Sequence, residues 1–173
     1  MSKHQDQPFI PLNIAVLTIS DTRTPENDTS GDTLVELLTA AGHRLADRKL
    51  CRDDVYAMRA IVSQWIADPA VHAVITTGGT GMTGRDSTPE ALLPLLDRLV
   101  DGFGELFRQL SWKEIGSSTV QSRACAGLAN RTLVACLPGS PGACRTGWEG
   151  ILREQLDARH KPCNFVGQTM AGI

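Results

Sequence analysis

Three short runs, Leu12 to Ser20 (LNIAVLTIS), Val71 to Thr77 (VHAVITT) and Thr132 to Leu137 (TLVACL), are mostly apolar, uncharged and rich in β-branched side chains. A strand with one wet face alternates apolar and polar residues. A strand without alternation must be covered on both faces, which is the condition inside a parallel sheet flanked by helices. The intervening segments have the period of helices. Leu34, Val35, Leu37, Leu38 and Ala41 follow Thr29 or Ser30 as N-cap and end at Gly42 as C′, and Val55, Met58, Val62, Trp65 and Ile66 are stopped by Pro69. His43 to Cys51 is a further strand candidate. Ser87 or Thr88 starts another helix, with Pro89 in its first turn, Glu90 placed for a capping box and Pro94 shortening it. Phe103, Leu106, Phe107 and Leu110 mark one more helix, Ser118 to Leu128 reads as another, and Trp148, Ile151, Leu152 and Leu156 mark the last. The pattern predicts an α/β protein, a three-layer α/β/α sandwich with a mostly parallel central sheet, in one domain over residues 1–173.

The chain has 173 residues, enough to bury a core without disulfides or a structural metal, and a net charge of -2 that carries no footprint for nucleic acid or an anionic membrane. Small molecules or further copies of the chain are the expected partners. The five cysteines form no CxxC pair and read as small core hydrophobes, and the four histidines form no metal-binding spacing. The start, Met1 to Pro8, lacks the apolar region of a secretory signal, and no run is long enough to span a membrane, so a cytoplasmic location is expected.

In such folds ligands collect at the carboxyl ends of the strands. The first clear strand ends at Ser20-Asp21, with Asp28-Thr29-Ser30-Gly31 beyond it. The second runs into Gly78-Gly79-Thr80-Gly81, and the third into Pro138-Gly139-Ser140-Pro141-Gly142. Glycines directly after a strand permit positive φ and close backbone approach, so the amides from Gly78 to Gly81 and the Thr80 hydroxyl can face a phosphate. A plain strand-to-helix turn explains the same residues. The tetrapeptide is neither a P-loop nor a dinucleotide fingerprint. A side chain at Gly79 is expected to intrude on the phosphate's space and to weaken binding more than folding. Asp86 stands just before a helix, where a carboxylate either caps or binds a divalent metal beside phosphate, and Asp53 and Asp54 open another helix, where they read as caps. Arg123 has the chemistry for bidentate phosphate contact, or for an ordinary salt bridge. Trp65 and Trp148 fall on apolar stripes, while Trp112 is open to either packing or stacking.

Taken in order, Ser20-Asp21, Asp28-Thr29-Ser30-Gly31, Asp53-Asp54, Thr76 to Gly81 (TTGGTG), Asp86-Ser87-Thr88-Pro89-Glu90, Ser122-Arg123 and Leu137 to Pro141 (LPGSP) resemble the MoaB/MogA family of molybdenum-cofactor biosynthesis proteins, a fold also found in the G domain of gephyrin. Phe103 to Gly116 and Leu156 to Phe165 look more like the MoaB branch. The resemblance implies molybdopterin binding, a mixed sheet, and a homo-oligomer, trimer or hexamer, with other proteins of the pathway as possible partners. It also implies adenylylation of molybdopterin by ATP with Mg²⁺, or a non-catalytic carrier role in the same pathway. Carried over by motif, Gly78, Gly79, Thr80 and Gly81 hold substrate phosphate, and Asp86 and Asp53 are the catalytic or Mg²⁺-binding carboxylates. Pro138, Gly139 and Ser140 contact pterin or nucleotide, and Ser20, Asp21, Ser30 and Arg123 line the same pocket. Where many members have Pro-Asp-Asp or Pro-Asp-Glu, this chain has Arg52-Asp53-Asp54, which leaves open which aspartate faces the site.

Overall fold

The computed structural model describes residues 7–170. Most of the polar N-terminal stretch, with His4, and the last residues of the C-terminal tail lie outside the described residues. Strand β1 (Asn13–Ile19) is followed by α1 (Thr29–Ala40), β2 (Arg44–Cys51), α2 (Val55–Ala67), β3 (Ala73–Thr77), the short α3 (Thr88–Leu92), the two-residue β4 (Arg98–Leu99) and α4 (Asp101–Ile115). Then come β5 (Cys125–Ala129), β6 (Thr132–Leu137), α5 (Pro141–Gly147), α6 (Arg153–Gln155) and α7 (Val166–Thr169), with a π-helical turn, Trp148–Leu152, joining α5 to α6.

The six strands form one sheet in the order β2-β1-β3-β6-β5-β4. The pairings among β2, β1, β3 and β6 are parallel, whereas β5 runs antiparallel to both neighbours, so the sheet is mixed at one edge. Strand β1 shows why its sequence has no alternation. Ile14 and Val16 pack into the core shared with α1, α4 and α5, while Ala15, Leu17 and Ile19 pack into the opposite core with α2 and α3. Both faces are dry, so both parities must be apolar. Trp148 and Trp65 are core residues, 1% and 4% exposed, and Trp112 is on the surface.

Two local expectations need correction. The segment read as a helix from Ser118 to Leu128 is a 3-10 segment, Gly116–Gln121, followed by β5. Strand β5 is held by a pairing that helical periodicity does not register: a two-residue turn, Asn130-Arg131, both at positive φ of 46° and 77°, folds it back on β6. At the start of α1 the cap is Asp28, not Thr29 or Ser30, and its carboxylate accepts from the Gly31 amide at 3.0 Å. Of the five cysteines, Cys136 and Cys144 are buried as expected, Cys51 and Cys125 are half-buried, and Cys163 is exposed. Among the described residues no helix is long and apolar enough to cross a membrane.

The topology places the site. All four parallel strands end on one rim, and the connections from the adjacent strands β1 and β3 leave for opposite faces, to α1 and to α3. A crevice opens between carboxyl ends where the connections diverge in this way.

Candidate functional site

A cleft of about 620 Å³ lies on that rim. The loops after β1, β2, β3 and β6 supply one side and the face of α4 carrying Phe107, Ser111 and Glu114 the other. The two glycine loops meet at its floor. The Gly78 amide donates to the Leu137 carbonyl at 3.0 Å, extending the β3–β6 ladder by one bond, and a Cβ added to Gly139 would lie 3.1 Å from the Gly78 Cα. Gly78 is therefore spent on the sheet. The amides of Gly79, Thr80 and Gly81 have no partner among the described residues, nor has the Thr80 hydroxyl, so the amides free to meet a ligand come from one residue fewer than the sequence predicts.

Thr88 fastens this turn from behind. Its hydroxyl donates to the Gly78 carbonyl at 2.8 Å and its amide to the Gly79 carbonyl at 2.9 Å. The expectation for Gly79 also changes. Its φ is +69°, and an added Cβ would lie 2.2 Å from the Thr88 hydroxyl and 2.8 Å from Asp53 Oδ2. A side chain there collides with the protein itself, so substitution strains the fold as well as any bound anion.

The aspartates separate by what their oxygens touch. Asp54 caps α2 by accepting from the Ala57 amide at 2.7 Å, and it stays outside the cleft. Asp53 lines the cleft: Oδ1 accepts from the Ser87 amide and hydroxyl, and Oδ2 has no donor among the described residues. Asp86 also lines it, with Oδ2 accepting from the Thr83 amide at 2.9 Å and hydroxyl at 2.6 Å and Oδ1 free. Asp21 lines the mouth, where Arg85 binds both of its oxygens, Nε to Oδ2 at 2.8 Å and Nη2 to Oδ1 at 3.0 Å. The Arg85 hydrogen bonds hold the Asp21 carboxyl below its ordinary pKa, against a smaller opposing effect of burial.

Ser20, Pro138, Gly139 and Ser140 line the cleft as well. Ser20 Oγ accepts from the amides of Thr22 and Arg23, and Ser140 caps α5 through the Ala143 amide at 3.1 Å. Two residues carried over by motif do not reach it. Ser30 is buried in the first turn of α1, and Arg123 lies behind the glycine loop. The Arg123 guanidinium donates to the Gly81 carbonyl from Nε and Nη2, to the Asp86 carbonyl at 3.0 Å, and to the Glu90 carboxylate. It ties both ends of the loop that carries Asp86. Glu90 is thereby drawn away from the expected capping box.

Sequence reading missed Arg85, whose position next to Asp86 was the available signal, and the cleft wall from α4, which no local pattern reveals. Burial, and next the charges of Asp53 and Asp54, push the nearby Cys51 thiol up to about 11, and burial raises Cys144 to about 11.

The cleft thus offers three unpaired successive amides and two carboxylates each with a free oxygen. Among the described residues no cluster of three or more His, Cys, Asp or Glu side chains could cage a metal ion. Mg²⁺ fits such a place when one or two carboxylates share it with substrate phosphates.

Residues 15–158 match the family described as "Probable molybdopterin binding domain". Molybdenum cofactor biosynthesis protein B of Escherichia coli (strain K12) is 57% identical over 157 residues, covering 91% of this chain and 92% of that protein. A crystal structure of a molybdenum cofactor biosynthesis protein B superposes with a TM-score of 0.84 at 42% identity, covering 87% of this chain and 94% of the other. The tungsten cofactor synthesizing protein MoaB from Pyrococcus furiosus gives 0.75 at 35% identity, with 83% and 92% covered. The rim loops, the mixed sheet and these similarities agree: the chain belongs to the molybdopterin-binding MoaB/MogA family of molybdenum-cofactor biosynthesis proteins, on its MoaB branch.

Proposed function

We propose that the protein adenylylates molybdopterin with MgATP, in the cytoplasm. The terminal phosphate oxygen of molybdopterin bonds to the α-phosphorus of ATP as the bond to the bridging oxygen of the β-phosphate breaks, and pyrophosphate leaves. The observation that carries this reading is the convergence of the Gly79, Thr80 and Gly81 amides with Asp53 and Asp86 in one cleft of about 620 Å³. Transfer of this type needs positioning and charge neutralisation and no protein nucleophile, which is the kind of chemistry the cleft offers.

The amides orient the attacking phosphate. Thr88 and Arg123 hold the loop that presents them, so little reorganisation is needed when substrate arrives. The free oxygens of Asp53 and Asp86 would hold Mg²⁺ together with substrate phosphates, and the ion would neutralise the polyphosphate charge. Pro138, Gly139 and Ser140 form the edge against which the pterin or the nucleotide lies.

Incubation with molybdopterin and MgATP, followed by mass spectrometry, tests the reading. Adenylylated molybdopterin and pyrophosphate are expected. Tight binding of molybdopterin without product favours the carrier role, and absence of binding rejects both.

Assembly into a homo-oligomer, trimer or hexamer, is part of the same proposal. Its support is an exposed apolar set on and just after α4: Leu106, Trp112, Ile115 and Val120 are exposed, while Phe103 and Phe107 are covered by the chain's own core. Light scattering that shows a monomer at micromolar concentrations would reject it.

A further inference from the structure

We propose that Arg85 is the side chain that receives the substrate's phosphate, and that Asp21 holds it in reserve until the ligand displaces that carboxylate. The inference rests on the phosphate-binding reading above and adds a residue and an exchange of partners to it.

The charge balance of the cleft motivates it. Among the described residues four carboxylates, Asp21, Asp53, Asp86 and Glu114, line the cleft against a single cation, Arg85. Until a cation sits on Asp53 and Asp86, an anion entering this space meets net repulsion that three backbone amides offset only in part. Arg123 gives no help, because its guanidinium is committed to the Gly81 and Asp86 carbonyls and to Glu90 behind the loop.

Arg85 is differently placed. It bridges three rim loops at the mouth, binding both oxygens of Asp21 and donating to the Asp53 carbonyl at 3.1 Å. The pair is wet, with side-chain exposures of 67% for Arg85 and 34% for Asp21. Exposed ion pairs of this kind add little to stability, so exchanging one carboxylate for a phosphate costs little. The planar fork that grips Asp21 also matches two oxygens of a phosphate. The backbone under Arg85 is anchored by Arg123 at Gly81 and Asp86 and by the Thr83–Asp86 bonds, so the exchange needs only side-chain motion.

The ligand chemistry is a phosphate monoester or polyphosphate, carried by either molybdopterin or ATP. Dissociation constants for molybdopterin and for MgATP, measured separately on the full chain, identify which. The proteins compared are the parent, Arg85→Met, Arg85→Lys, Asp21→Asn and the double variant Asp21→Asn/Arg85→Met, each with its melting temperature recorded.

Arg85→Met is expected to weaken one of the two ligands by about tenfold or more, an ordinary scale for losing a charge-assisted bidentate contact, and Arg85→Lys is expected to recover part of the loss. Asp21→Asn is expected to tighten the same ligand, because it frees the guanidinium, and this gain should vanish when Arg85 is absent. A structural latch predicts the opposite pattern, with both single variants weakening binding together. That result overturns the proposal. So does unchanged binding of both ligands in Arg85→Met, or a gain from Asp21→Asn that survives in the double variant, which would make it a general field effect. If the parent binds neither ligand, the phosphate reading itself fails and the inference falls with it. If the parent binds and only Arg85→Met is silent, the inference alone is lost.

Discussion

Asp28 and Asp86 occupy similar positions in the chain. Each ends a polar loop that begins at the carboxyl end of a central parallel strand, and each stands just before a helix. Their surroundings differ. Asp28 is 2% exposed and both of its oxygens are consumed, Oδ1 by the Gly31 amide and Oδ2 by the Thr18 hydroxyl at 2.7 Å and Arg48 at 2.8 Å. Asp86 lines the cleft and satisfies one oxygen with Thr83, while the other has no donor among the described residues. A carboxylate on the rim can take a binding role only where the chain leaves it an unsaturated oxygen. Charge and position before a helix are common to both.

The largest effect expected from this contrast is on turnover. Asn at position 86 can still accept from Thr83 through its carbonyl oxygen, so Asp86→Asn should melt like the parent and still bind molybdopterin. It presents no charge to the cleft, and turnover should fall by about a hundredfold or more, the scale for losing a metal ligand or a major electrostatic contact. Near-parent turnover measured by product mass spectrometry would remove Asp86 from the reacting centre and erase its difference from Asp28.

Asp28 should show the reverse pattern. Burial pushes its carboxyl upward, but the hydrogen bonds from Arg48, Thr18 and the Gly31 amide together outweigh it and hold the pKa below the ordinary value. A folded pKa below the unfolded one gives stability that is present above the unfolded value of about 3.9 and is lost as pH falls through the folded value. Asp28→Ala should cost roughly 2–3 kcal/mol in urea unfolding at neutral pH, since it removes a cap and leaves the half-buried Arg48 with Asp32 alone. Its stability should also change less between neutral and acid pH than the parent's. A parent and variant with the same acid limb would show that folding does not lower the Asp28 pKa.

The same contrast explains what was legible in the sequence. Strands β1, β3 and β6 were visible because burial on both faces leaves runs with no polar parity. Strand β5 was hidden because its five residues, Cys125–Ala129, carry no period of their own and depend on pairing with β6. The glycine loop, Asp53 and Asp86, which the structure gathers at one cleft, were picked out by motif. The division of labour between Arg123 and Arg85 was not, because both are arginines near Asp86 and only the geometry shows that one is consumed by backbone carbonyls and the other is exposed at the mouth. Ser30 was misplaced for a related reason: a hydroxyl in a first helical turn reads the same whether it points toward a site or into the protein.

The smallest expected effect concerns Asp54, which stands beside Asp53 and differs from it in direction alone. Its carboxylate bonds the Ala57 amide at 2.7 Å and lies outside the cleft, so its contribution is that of an N-cap. Asp54→Ala should cost about 1 kcal/mol, the usual value for an N-cap, and should leave turnover within about twofold of the parent. Asp53 is read the other way: it lines the cleft with Oδ2 unpaired among the described residues, and Asp53→Asn should lose turnover on the scale of Asp86→Asn while its amide side chain still accepts from Ser87 through the oxygen. The two neighbours can therefore be compared in one experiment that records melting temperature and product formation together. If Asp54→Ala proves to be the variant that loses turnover while Asp53→Asn retains it, the turn after β2 is rotated in the working protein. The assignment of Asp53 to the site would then fall, even with Asp86 secure.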